Sequence, residues 1–150
     1  MANRFLYFDI EHAIAVHDWI IENSGGLSGN NDLGLLASPL EHIQNDLYYP
    51  KIEDKLTHLV YSINKNHAFS DGNKRSSIAL GAYFLELNGY FYGVQSFVHR
   101  MENITVWIAD NVIDKDLTYK IITSLIYEDD FSESLKLELA LSISQWELKE

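Results

Sequence analysis

The sequence has no cysteine, little positive charge and no long uncharged apolar run. Without cysteine there is no disulfide, no thiolate metal site and no cysteine nucleophile, a composition that suits a reducing cytoplasm. Eleven Lys and Arg stand against 22 Asp and Glu, a net charge of -11. Proteins that chiefly grip nucleic acid need surplus positive charge to displace counterions from phosphates, so no nucleic-acid partner is expected. A basic partner surface, or simple solubility, fits this balance better. No segment reaches membrane-spanning length free of charges. The opening residues, Met1 to Asp9, lack the apolar run of a signal peptide. The expectation is a cytoplasmic protein without a membrane partner. Its 150 residues, 47% hydrophobic and 13% aromatic, suffice for one domain with a substantial core.

Periodicity gives an all-α reading. Asp9 is a plausible N-cap for a helix carrying Ile10, Ala13, Ile14, His17, Ile20 and Ile21, stopped by Gly25 and Gly26. The turn-rich run from Ser24 to Asn31 reads as an irregular loop or short hairpin. A second helix is expected from about Leu35 to Leu47, with Pro39 near its start and Tyr48, Tyr49 and Pro50 ending it. Leu56, Leu59, Val60 and Ile63 form an apolar stripe over about Ile52 to Asn66. A helix from Asn73 to Leu87, ended by Asn88-Gly89, is apolar on most faces and is placed at the centre of the fold, with Ile78, Ala79, Ala82, Tyr83 and Leu87 inward. Ser96 is expected to cap a helix to about Asn111, and Asp114 or Asp116 to start one ending near Tyr127. In the tail, Leu135, Leu137, Leu139, Leu141 and Ile143 alternate like a strand, but the Leu, Ala, Lys and Glu content favours helix. Trp19, Trp107 and Trp146 are read as core or edge packing. His12, His17, His42, His58 and His99 show no zinc spacing, and His17-Asp18 is read as structural hydrogen bonding.

Between the third and fourth helices stands a polar run, His67-Ala68-Phe69-Ser70-Asp71-Gly72-Asn73-Lys74-Arg75. A helix beginning near Asn73 presents unpaired N–H groups and a positive dipole end, an anion site. Gly72 lets the backbone approach a ligand closely. Lys74 and Arg75 oppose the dipole of the bare helix, so their presence in a protein of net charge -11 points to a bound polyanion. Asp71 is a hard oxygen ligand of the kind Mg²⁺ takes beside nucleotide phosphates. Asn73 can donate to a phosphate oxygen. The imidazole of His67 can accept a hydroxyl proton. Phe69, apolar in a polar run, is expected to point into the core and hold the loop. Singly, a histidine at a helix end, an Asp-Gly turn and a Lys-Arg pair are ordinary features; together at this spacing they form a kit for transferring part of a nucleotide to a hydroxyl group.

The pattern His-x-Phe-x-Asp-Gly-Asn-Lys-Arg resembles the signature of the Fic/Doc family, and within it the death-on-curing (Doc) branch. Val16-His17-Asp18, Gly25-Gly26-Leu27-Ser28-Gly29 and the helix end from Phe84 to Gly89 are similar to Doc proteins as well. The resemblance covers about residues 5–127 and leaves 128–150 as an extension, expected to be helical, of a single 1–150 domain. It implies a compact bundle of about six to seven helices with a short flap loop or hairpin. His67 would be the general base; His67, Asp71 and Arg75 form the catalytic set. Asp71 would hold Mg²⁺, while Gly72, Asn73, Lys74 and Arg75 cradle the phosphates of ATP. Gly26, Leu27, Ser28, Gly29, Asn30 and Asn31 would form the flap that lines up a target polypeptide through strand-like main-chain contacts. Doc proteins are typically toxins of toxin–antitoxin pairs that act as kinases on the translation elongation factor delivering aminoacyl-tRNA, and a small antitoxin protein neutralises them.

Fic enzymes that transfer AMP usually read Gly-Asn-Gly-Arg-x-x-Arg. Here Lys74 replaces the second Gly, and Ile78 stands where the second Arg would be. The lysine takes space a phosphate could fill, and a bidentate clamp is lost. Both changes favour transfer of the γ-phosphate. Gly72, the Fic-type residue where Doc proteins more often have Ala, favours the alternative of AMP transfer. A non-catalytic binding module is the third reading. The inhibitory Ser/Thr-x-x-x-Glu-Gly/Asn helix of some Fic proteins is matched in spacing by Ser134 to Glu138 and Ser124 to Glu128, but neither is followed by Gly or Asn. Glu128-Asp129-Asp130 reads as a solvated linker.

Overall fold

The computed structural model describes residues 4–149; Met1 to Asn3 of the opening segment and Glu150 of the extension lie outside the described residues. The elements are α1 (Ile10–Ser24), α2 (Gly34–His42), α3 (Ile52–Asn66), α4 (Asn73–Leu87), a 3-10 turn (Phe91–Gly93), α5 (Val94–Ala109), α6 (Lys115–Tyr127) and α7 (Glu133–Leu148). Several starts are set by side chains that satisfy otherwise free N–H groups. Asp9 accepts from His12 N–H at 2.9 Å, Asp114 from Leu117 N–H at 2.8 Å and Ser132 from Leu135 N–H at 3.1 Å. The fold is all-α, with no named strand among the described residues. Among the described residues, no helix is long and apolar enough to cross a membrane.

α4 occupies the centre, packed against α1, α3 and α5. Of its expected inward residues, Ala82 is buried, whereas Ile78, Ala79, Tyr83 and Leu87 are only half-buried. Ser76, Ser77, Leu80, Gly81, Phe84 and Leu85 form the buried surface instead. A helix flanked on three sides buries most of its circumference, so no single stripe marks its inside. Gly81 sits at the tightest crossing. A β-carbon there would lie 2.9 Å from Phe97 Cζ and 3.0 Å from Val60 Cγ2.

The second helix ends at His42 rather than Leu47, and Pro39 lies in its interior. Proline has no N–H for the Leu35 carbonyl; Asn66 Nδ2 donates to that carbonyl from α3 at 3.2 Å. The helix stops because the Ile43 carbonyl is taken by the buried Lys55 ammonium at 2.6 Å. Lys55 also bonds Asp46 Oδ1 at 2.6 Å and lies 4.7 Å from the Phe5 ring centre, tying the turn and the N-terminal segment to α3. Ser96 is not a cap: α5 starts at Val94, directly after the 3-10 turn. Gly89 is left-handed and Tyr90 N–H returns to Leu85 O at 2.9 Å, so the chain re-enters helix within a few residues.

The tail is helical. Its alternating leucines serve two faces: Leu135, Leu139, Ile143 and Trp146 meet the core, while Leu137, Leu141 and Leu148 are exposed. Trp107 and Trp146 are packing residues, but Trp19 is exposed.

A polar chain links α6, α3 and α2. Lys115 Nζ donates to His58 Nδ1 at 2.7 Å, so His58 carries its proton on Nε2 and donates to His42 Nδ1 at 3.1 Å. The Tyr49 hydroxyl lies 3.3 Å from His58 Nδ1. Burial first, then the charges of Lys115 and His42, push the His58 pKa from 6.5 down to about 4.

Two outcomes follow from this packing. Gly81→Ala overpacks the α3–α4–α5 crossing and lowers unfolding free energy by about 1–3 kcal/mol, read from urea midpoints. Because folded His58 resists protonation, its neutral form favours the native state above about pH 6.5, and that contribution is lost as pH falls towards 4. For a half-exposed ring the effect is on the order of 1–2 kcal/mol. The wild type should therefore lose more stability between pH 7 and 4.5 than His58→Gln does.

Candidate functional site

α3 ends where His67 turns left-handed (φ 51°), and α4 starts after Gly72, also left-handed (φ 79°). Between these corners the connection passes through the core only at Ala68 and Phe69, each 1% exposed. Phe69 does point inward, stacked on His17 with ring centres 3.7 Å apart and planes 4° from parallel. A connection buried at its centre needs partners for its backbone. Asn73 supplies two from one side chain: its Oδ1 accepts from Phe69 N–H at 3.2 Å, and its Nδ2 donates to Phe69 O at 3.0 Å. The side chain expected to donate to a phosphate thus spends one Nδ2 hydrogen on the loop; its second Nδ2 hydrogen and the Asn73 backbone N–H at the start of α4 are left over.

The run from Gly26 to Asn31 is a loop held against this connection. One antiparallel bridge pairs Asn30 with Phe69, and Asn31 N–H donates to Ala68 O at 2.8 Å, Ser70 N–H to Gly29 O at 3.2 Å. Strand-like contact therefore exists within the chain itself. Asn31 Nδ2 adds bonds to His67 O at 3.1 Å and Phe69 O at 3.3 Å. Asp71 fixes the other end: Oδ2 accepts from Leu27 N–H at 3.0 Å and Oδ1 from Gly72 N–H at 2.8 Å. These two N–H groups, Leu27 first, hold the Asp71 carboxyl below the usual carboxylate range, with Arg75 adding to the effect. A β-carbon on Gly26 would come within 2.7 Å of Asp71 Oδ2, so only glycine lets the loop close this tightly.

Arg75 is oriented by the end of α1. Its Nη1 donates to Ser24 Oγ at 2.7 Å and Gly25 O at 2.8 Å, while Nη2 lies 4.0 Å from Asp71 Oδ1. Two bonds on one nitrogen leave the remaining guanidinium N–H groups for a ligand. Lys74, the neighbour of Arg75, is exposed, and so is His67.

His67, Ser70, Asp71, Gly72, Asn73, Lys74 and Arg75 line one cleft of about 240 Å³, with Asn64 and Ala109 completing it. The cleft is smaller than a typical whole-ligand site of about 300–1,000 Å³, and suits a phosphate chain better than a complete nucleotide. The structure thus brings the motif residues together. None of the flap residues Gly26 to Asn31 lines this cleft; Leu27 is tied to it through its N–H bond to Asp71. Among the described residues, no group of three or more His, Cys, Asp or Glu is placed to hold a metal ion. A cation at Asp71 would have one protein carboxylate, whose oxygens each accept one N–H and keep further lone-pair capacity. That donor set fits a hard cation completing its shell with phosphate and water, as Mg²⁺ does.

Sequence reasoning missed Asn64, Ala109 and Ser24. Asn64 stands one helical turn before His67 and faces the same cleft, a spacing that could have flagged it; its Nδ2 bonds Val60 O and Ser77 Oγ, both at 2.9 Å. Ala109 arrives from α5, whose end is bound to α3 by Lys65 through Ile108 O at 3.2 Å and the Asn111 side chain. Nothing in the local sequence signals that.

The Fic/DOC family model matches residues 7–85, a span holding the loop, the connection and most of α4. A protein named Toxin Doc from Mycolicibacterium smegmatis is 34% identical over 96 residues, covering 61% of this chain and 74% of that one. Protein kinase doc of Escherichia phage P1 is 35% identical over 83 residues, covering 53% of this chain and 65% of that one.

The two-ended grip of Asn73 makes a prediction separate from chemistry. Asn73→Ala strips two bonds from buried backbone and should lower stability by about 1–3 kcal/mol. Lys74→Ala, on the same helical turn, should leave the thermal midpoint within about a degree.

Proposed function

The chain belongs to the Fic/DOC family, and from that premise we propose that it is a phosphotransferase moving the γ-phosphate of ATP onto a Ser or Thr hydroxyl of a target protein. The observation that carries this reading is the meeting, on one cleft of phosphate-chain size, of His67 with Asp71, Lys74, Arg75 and the N-terminus of α4. The α4 N–H groups, Lys74 and Arg75 would bind the phosphates and hold the chain in line. Mg²⁺ at Asp71 would neutralise phosphate charge. His67 would take the proton from the acceptor hydroxyl as its oxygen bonds the γ-phosphorus, and the bond to the β–γ bridging oxygen would break to release ADP. The loop from Gly26 to Asn31 would guide the target polypeptide.

AMP transfer is the second reading, and Gly72 was the residue favouring it. Its φ of +79°, with Ile21 Cδ1 3.1 Å from where a β-carbon would sit, gives the glycine a backbone reason independent of which phosphate reacts. That weakens the argument for AMP and leaves Lys74 and Ile78 favouring γ-transfer. A non-catalytic module would have no use for the assembled set.

Relatives named Toxin Doc and Protein kinase doc support a toxin-like kinase reading, and from the family resemblance we infer a toxin–antitoxin pair, with a translation factor as target and a small antitoxin as neutralising partner. The deciding experiment incubates the protein and Mg²⁺ with the elongation factor that delivers aminoacyl-tRNA, and with a cell extract as wider acceptor, using ATP labelled on either the α- or the γ-phosphate. Label from the γ-position supports the proposal, label from the α-position replaces it with AMP transfer, and label from neither overturns both. His67→Ala should lower the transfer rate about 10²–10⁴-fold; an unimpaired variant would remove His67 as the base.

A further inference from the structure

His17 is a buried histidine that the proposed chemistry does not use. It lies on α1, 1% exposed, far in sequence from the connection it touches. Its Nε2 is 2.7 Å from the Asp71 carbonyl oxygen, and because a carbonyl only accepts, that nitrogen carries the hydrogen. Its ring lies parallel on Phe69, and its Cδ2 is 3.5 Å from where a β-carbon on Gly72 would stand. Its Nδ1 stands 3.3 Å from the exposed Asp18 carboxylate, and the ring is held along its Nε2 edge and on one face. A leucine or phenylalanine would fill the same volume. Neither would supply the donor that the Asp71 carbonyl needs beside the core.

We propose that His17 is a positioning residue for the candidate site: by fixing the Asp71 main chain and the Phe69 ring, it aims the Asp71 carboxylate at Leu27 N–H and so sets where the flap closes. The path is continuous: α1, His17 Nε2–H, Asp71 O, Asp71 Oδ2, Leu27 N–H. Ser24 and Gly25 at the same helix end hold Arg75, so α1 orients two of the charged residues of the cleft, Asp71 and Arg75. The functional part of this inference rests on the proposal that Asp71 and the flap serve phosphate transfer. The latch itself is a property of the ligand-free protein.

Two variants separate donor from packing. His17→Phe keeps a ring for Phe69 and removes the donor; His17→Gln removes the ring and keeps an N–H of similar reach. The first readout is backbone amide exchange in the ligand-free protein, with the α3 and α6 core amides as the control for folding. In His17→Phe, Leu27 amide exchange should accelerate about tenfold, the scale of one lost hydrogen bond, with core amides unchanged. His17→Gln should stay within about threefold of wild type. Unchanged Leu27 protection in His17→Phe overturns the proposal, as does a loss in His17→Gln equal to that in His17→Phe. Should the core amides of His17→Phe also open, His17→Gln decides alone: Leu27 protection kept supports the donor, lost overturns it. The second readout is transfer of γ-label, where His17→Phe should lower kcat at least about tenfold with little change in KM for ATP, and His17→Gln should restore most of it. A fall confined to KM overturns the positioning role. If wild type transfers no label, the phosphotransfer reading fails while the exchange result still tests the latch.

Discussion

The site depends on how the six residues between α3 and α4 settle their backbone hydrogen bonds while passing through the core. Phe69 must be buried to anchor the connection, and burying it carries polar main-chain groups out of water, where each unpaired one costs on the order of 1–3 kcal/mol. The partners come from three directions. Asn73 takes both groups of Phe69, Asn31 and Asp32 serve Ala68 O, and His17 serves Asp71 O. Each partner belongs to a different element: α4, the flap loop and α1. The requirement that orders the connection therefore also fixes the loop and the first helix around it. His67 and Asp71, at the two ends of the buried stretch, are held at the cleft as a consequence. Preorganisation of this kind is what a site for in-line transfer needs.

Much of the fold was legible because its signals are local. Asp9, Asp114 and the 52–66 stripe mark helices by capping and period, and these elements stand where they were expected. The errors lie where distant residues decide. The end of α2 is set by Lys55, twelve residues along the chain from the carbonyl it binds, and Pro39 is accommodated by Asn66 from another helix. The inner face of α4 was misassigned because three neighbours surround it and Gly81, not a large apolar residue, marks the closest crossing. The strand-like leucine alternation in α7 is produced by two apolar faces, one against the core and one outward.

The motif itself was legible as a set, but the division of labour inside it was not. From the sequence, Asn73 and Arg75 look like free phosphate ligands. In the fold, each end of the Asn73 amide makes one bond to Phe69, and part of Arg75 is engaged by Ser24 and Gly25. The Arg75 anchoring does not follow from spacing, since it depends on where α1 ends relative to α4. His17 shows the same limit from the other side. Its structural character could be read from the sequence, but its partner lies 54 residues away.

The charge pattern bears on the two transfer readings. A net charge of -11 offers a nucleotide no overall attraction, so the proposed capture would rest on short-range donors: Lys74, Arg75 and the first turn of α4. Arginine suits the dual position of residue 75 in a way lysine cannot. Its rigid fork can be anchored through Nη1 on the end of α1 while the remaining N–H groups face the cleft, whereas an ammonium held by Ser24 and Gly25 would have little left to offer. The anchored guanidinium stands beside Asp71, at 4.0 Å, so the cationic clamp and the carboxylate proposed to hold Mg²⁺ share one wall. Lys74 and His67 bound the cleft elsewhere. With Ile78 unable to act as a second clamp one turn along α4, the strongest anion-binding groups concentrate at the helix start. In the proposed γ-transfer, a phosphate chain held there mainly at one end would leave its other end free for the acceptor.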